Sequence, residues 1–138
     1  MPDAEELCRR GTVSWVKGKR DAAIASFTEA LKVDPHCATA YCNRGSVYYD
    51  LGDVELAIAD FSEAIRLKPD YARAHNNRGV TFRKAGDLDK AIADYSAAIR
   101  LNPTYAEAYR NRAVAYRQKG EKEMAEADQA QYRALKGS

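Results

Sequence analysis

The chain has 138 residues, enough to bury the core of one domain, and 22 Lys and Arg against 20 Asp and Glu leave it at +2. So even a balance excludes the polybasic or polyacidic character that points to nucleic acid or a membrane surface. No apolar run approaches the roughly 20 residues of a bilayer span, and the opening MPDAEELCRR lacks the apolar centre of a signal peptide, so a soluble, cytoplasmic protein is expected.

Apolar stripes of helical period come in pairs, and the pairs recur at a constant step of about 34 residues. The first pair, over 4–17 and 21–33, carries Leu7, Arg10, Gly11 and Ser14, then Ala23 and Phe27, and stops before Pro35. Around the junction with the next pair stand His36, Cys37 and Cys42. Their spacing fits no zinc motif, so no metal and no cofactor is expected. With Cys8 they make an odd cysteine count and no export signal, which argues against a disulfide framework.

The second pair, over 38–51 and 55–67, places Tyr41, Gly45 and Tyr48 on one stripe and Ala57, Phe61, Ala64 and Ile65 on the other, with Asp53 as N-cap and Pro69 as terminator. The third, over 72–85 and 89–101, repeats this with His75, Arg78, Gly79 and Phe82, then Asp87, Ala91, Tyr95 and Pro103. The fourth, over 106–119 and 123–135, keeps Tyr109, Arg112, Ala113, Tyr116 and Ala125. Its last helix has Gln129 at the aromatic position and Arg133 where Ile65 and Ile99 stand, which predicts a polar end to the array.

A glycine inside a helix costs about 1 kcal/mol relative to alanine, so Gly11, Gly45 and Gly79, in equivalent places, need a reason. Close approach of the two helices supplies one: Gly45 is expected to face Ala57, with Tyr48 and Phe61 filling the space beside them. Arg44, Arg78 and Arg112 each precede an acid at the same offset, Asp60, Asp94 and Asp128, whereas Arg10 meets only Ser26. Ion pairs joining the helices of a repeat, or a repeat to its neighbour, are expected. The alternative is that these arginines contact a ligand.

The spacing of these aromatics, glycines, alanines and prolines resembles the tetratricopeptide repeat family, with arginine replacing the motif's leucine in all four copies. The resemblance implies an all-α, right-handed superhelical solenoid of four helix-turn-helix repeats, eight antiparallel helices in a single domain over 1–138. The repeats fall at about 4–37, 38–71, 72–105 and 106–136. It also implies a non-catalytic scaffold that binds an extended peptide in a concave groove lined by the first helix of each repeat. The rival reading is a structural, self-associating module.

At 100° per residue, Asn43 lies about 200° around the helix from Tyr41, away from the hairpin core. Asn43, Asn77 and Asn111 therefore form a column that resembles the asparagine ladder of some family members, where amides hold a peptide backbone. The alternative is that they bond neighbouring helices or water. The same faces carry Trp15 and Tyr49 in the first two repeats, and Arg73, Asn76, Arg83, Lys84, Arg110 and Arg117 in the last two. An acidic segment or a free C-terminus would suit the basic half, unless these charges form an ordinary solvated face.

One branch of the family clamps the acidic tails of heat-shock chaperones. At the places of its lysine, asparagine, asparagine, lysine and arginine stand Cys8, Thr12, Asn43, Arg73 and Asn77. Only Asn43 agrees and Arg73 keeps its charge, so that tail is not the expected ligand. The expected partner is a protein or peptide, with no nucleic acid and no membrane. A monomer is favoured, with self-association through the first repeat as the alternative. No Ser-His-Asp or Cys-His set and no phosphate-binding glycine loop is present, so no enzyme is expected. His36 falls in a turn, and His75 takes an aromatic's place as core filler.

Overall fold

The computed structural model describes residues 1–137, and among them it contains eight α-helices and no strand. In order these are α1 (Ala4–Val16), α2 (Arg20–Val33), α3 (Ala38–Leu51), α4 (Val54–Leu67), α5 (Ala72–Lys84), α6 (Leu88–Leu101), α7 (Ala106–Lys119) and α8 (Lys122–Leu135). None of these is long and apolar enough to cross a membrane.

The helices gather into two compact units, Met1–Pro69 with α1–α4 and Asp70–Ser138 with α5–α8. In the N-terminal unit α1 pairs with α2 and α3 with α4, while α2 lies against α3 and α1 touches α3. The C-terminal unit repeats this scheme with α5–α8. Each unit is thus two helix hairpins stacked through a second helix.

The turns follow the sequence. Gly52 ends α3 in the left-handed region at φ 85°, where a side chain would be strained. There its N–H donates to the Tyr49 carbonyl and the Asp53 N–H reaches back to Tyr48 at 2.9 Å, closing the helix end. Asp87 caps α6 as expected, accepting from the Lys90 N–H at 3.2 Å. Asp53 differs: it occupies the N-cap of α4 but its side chain makes no capping bond.

Gly45 departs from expectation in one respect. A Cβ on Gly45 would lie 3.0 Å from Phe61 Cε1 and 3.2 Å from Asp60 Cβ, and Ala57 is not among its nearest contacts. On Gly11 it would lie 2.6 Å from the Phe27 ring, and on Gly79 2.7 Å from the Tyr95 ring. The glycine therefore makes room for the aromatic ring of the second helix. Those rings, Phe27, Phe61 and Tyr95, are essentially fully buried beside Ala23, Ala57 and Ala91. The fourth repeat has Gln129 in place of the ring, and there the glycine is replaced by Ala113, itself buried.

Candidate functional site

Three of the four recurring arginines, Arg44, Arg78 and Arg112, are each held by an aspartate of the next helix. From α3, Arg44 donates Nε and Nη2 to the two carboxylate oxygens of Asp60 on α4, at 2.8 and 2.9 Å. Its remaining Nη1 donates to Thr28 Oγ1 on α2 at 3.1 Å. Arg112 repeats the arrangement, forked onto Asp128 at 2.7 and 2.8 Å with Nη1 on Ser96 Oγ at 3.1 Å. Arg78 is forked onto Asp94, both bonds 2.8 Å. One guanidinium thus ties its own repeat together and, for Arg44 and Arg112, reaches the preceding repeat as well.

The neighbourhood holds these charges in place. Tyr41 and Tyr48 flank the Arg44 guanidinium at 5.6 and 5.8 Å, and Tyr109 and Tyr116 flank Arg112 at 5.8 and 5.7 Å. Hydrogen bonds to Asp60 and Asp128 raise the pKa values of Arg44 and Arg112. Burial pushes the Asp94 carboxyl up, but Arg78 and His75 together outweigh it and hold Asp94 below its usual value. His75 is therefore more than core filler, with Nδ1 3.9 Å from Asp94 Oδ1. A saturated, half-buried fork has nothing left for a ligand, so these arginines are structural. Arg10, with no acid opposite, is exposed and pairs with Glu6 at 3.4 Å.

The inner-face residues divide between the units. In the N-terminal unit, Trp15 packs against the core cluster of Leu7, Phe27 and Val47 and donates its indole N–H to Asp50 Oδ2 at 2.7 Å. Tyr49 is half-buried. Asn43 is only 8% exposed, so most of its amide is taken up inside the unit. A single helix does not reveal this burial, since α1 lies beside α3.

In the C-terminal unit the same correction applies to Asn76, which is 6% exposed and accepts from Asn111 Nδ2 at 3.1 Å. This amide pair joins α5 to α7. On these two helices Asn77, Arg83 and Asn111 are half-buried, with Val80 and Val114, while Arg73, Lys84, Arg110 and Arg117 are exposed. Arg73 donates to the Tyr71 hydroxyl at 2.7 Å, and Arg110 lies over the Tyr132 ring at 5.8 Å with Glu107 at 3.5 Å. The Arg117 guanidinium is exposed, while the residue's carbonyl accepts from the Gly120 N–H at 3.1 Å. The α5–α7 face is thus a small apolar and amide floor edged by cations, able to meet backbone polar groups at its centre and carboxylates at its rim.

A family model described as tetratricopeptide repeat matches residues 8–72, 42–106 and 76–138. Among solved structures, a crystal structure of MamA is similar at TM-score 0.90 and 28% identity, over 96% of this chain and 78% of that one. The first TPR of Spaghetti (RPAP3), bound to the HSP90 peptide SRMEEVD, is similar at TM-score 0.83 and 27% identity, over 86% and 94% of the two chains. TTC0263, a thermophilic TPR protein of Thermus thermophilus, is similar at TM-score 0.83 and 26% identity, over 96% and 74%. No curated protein is a significant match in sequence.

Proposed function

The chain belongs to the tetratricopeptide repeat family, whose all-α helical-repeat solenoids mediate protein–protein interactions, and from that premise we propose that its α5–α7 face binds an extended acidic peptide. The observation that carries this reading is that α5 and α7 together carry four exposed cations, Arg73, Lys84, Arg110 and Arg117, besides the half-buried amides of Asn77 and Asn111. Asparagine offers a donor and an acceptor, so these amides can satisfy a peptide backbone whatever its side chains. Val80 and Val114 supply a floor for an aliphatic side chain between acidic ones.

The RPAP3 repeat domain gives this proposal a precedent, because the peptide bound to it carries two glutamates and an aspartate. The ligand here differs in detail, since Cys8 and Thr12 stand where the chaperone-tail clamp has a lysine and an asparagine. The proposed partner is accordingly an acidic segment or C-terminus of a protein, and the chain acts as a scaffold without chemistry of its own. Exposed charge pairs are worth about 0.2–1 kcal/mol each and are screened by salt, which sets the expected affinity near micromolar.

The test is a titration of a labelled Asp/Glu-rich peptide library into wild type and an Asn77→Ala/Asn111→Ala variant, with circular dichroism confirming equal helicity. Two lost amide contacts predict an affinity reduced about tenfold or more. Equal binding by both proteins overturns the role of the amides, and no binding by wild type overturns the reading as a whole.

A further inference from the structure

A pair of thiols in the N-terminal unit is not used by any of the contacts described above. Cys8, on α1, is buried at the edge of the cluster formed by Leu7, Phe27 and Ala40, and Cys37, the N-cap of α3, packs against the same cluster half-buried. Both thiols therefore border one apolar cluster, and Cys37 is near enough to add to the raised pKa of Cys8. They come from different repeats, brought together because α1 lies beside α3. The third cysteine, Cys42, is fully buried on α3.

We propose that Cys8 and Cys37 form a redox-active dithiol, which a small-molecule disulfide converts into a reversible disulfide tying α1 to the start of α3. The order of events follows from their surroundings. Burial, and then the neighbouring Cys37, push the Cys8 pKa up to about 12, so Cys8 stays a protonated thiol and does not react first. Cys37 is the half-buried member and the entry point. Its thiolate attacks one sulfur of the incoming disulfide, forming a mixed disulfide and expelling one thiolate. Cys8 then loses its proton to solvent and attacks the Cys37 sulfur, expelling the second thiolate.

The two protein thiols lose two electrons and two protons in all, and the small disulfide becomes two thiols. Capping Cys37 also removes its contribution to the raised pKa of Cys8, which favours the second step only after the first. Burial remains, so closure is the slower step and the mixed disulfide accumulates briefly.

The experiment uses the intact chain with oxidised glutathione as the probe, followed by intact-mass and peptide mass spectrometry. The expected product has lost two hydrogens, joins the peptides containing Cys8 and Cys37, and reverts with dithiothreitol. Closing this loop restrains the unfolded chain, so oxidised protein melts higher by about 5 °C or more. Cys42→Ala should close as wild type does, and Cys8→Ala should stop at a stable glutathione adduct on Cys37. A wild-type protein that stops at that adduct, stays unmodified, or links Cys37 to Cys42 overturns the proposal.

Discussion

Asp94 shows how one carboxylate sets a pH dependence. Its folded pKa is held below the unfolded value because Arg78 and His75 outweigh the opposing effect of burial. Its contribution is therefore complete above the unfolded pKa of about 3.9 and is lost as pH falls through the lower, folded value. Asp94→Ala should cost about 3 kcal/mol near neutral pH, since it strands a half-buried arginine. The difference from wild type should shrink in denaturant titrations run below about pH 4. A loss typical of a surface site, or one that is flat with pH, would count against the pairing. The pairing itself was legible, because arginine and acid recur at one offset in three repeats. The hydroxyl partners Thr28 and Ser96 carry the same signal, since they precede Arg44 and Arg112 by the 16 residues that separate those arginines from their acids.

Helices were the most readable level. The expected spans 38–51 and 106–119 coincide with α3 and α7, and α2, α4, α6 and α8 each begin one residue earlier than expected. Glycine and proline punctuation explains that success, because it fixes where a helix cannot continue. Less readable was what the glycines face, since period and stripe give a direction but not the nearest atom. The 2.7 Å approach of a Cβ on Gly79 to Tyr95, and 3.1 Å to the Ala91 carbonyl oxygen, decides the sign of a substitution. Alanine gains about 1 kcal/mol of helix propensity there, but overpacking a buried ring costs about 1–3 kcal/mol. Gly79→Ala is therefore expected to lose about 1–2 kcal/mol by chemical denaturation. Gly45→Ala, where the nearest atom is 3.0 Å away, should lose less. In a Tyr95→Leu background the Gly79→Ala cost should largely vanish, and a cost unchanged there would show that the ring is not the obstacle.

At the scale of the whole chain, repetition made the family legible, while the inner faces were legible only in part. Asn43 and Asn76 were expected on the groove-facing side and are buried, and Asn76 is engaged by Asn111 of α7, a partner that no single-helix wheel contains. The polar face of α8 raises a related question of what limits stacking. In the N-terminal unit Ile24 and Leu31 of α2 pack against the cluster that includes Ala40 and Val47 of α3, and in the C-terminal unit Ile92 of α6 packs against a cluster that includes Ala115 of α7. The equivalent residues of α8 are Glu126 and Arg133, both exposed. Burying two charges against another helix costs several kcal/mol unless each finds a partner, so α8 should refuse a further helix. Replacing both with isoleucine restores the apolar face that α2 and α6 use, and exposes it as a contiguous patch. Glu126→Ile/Arg133→Ile should therefore self-associate, with a molar mass by light scattering that climbs with concentration across the micromolar range. Wild type should hold the mass of one chain over the same range. If the variant also stays at that mass, the charges on α8 are not what keeps the stack from growing.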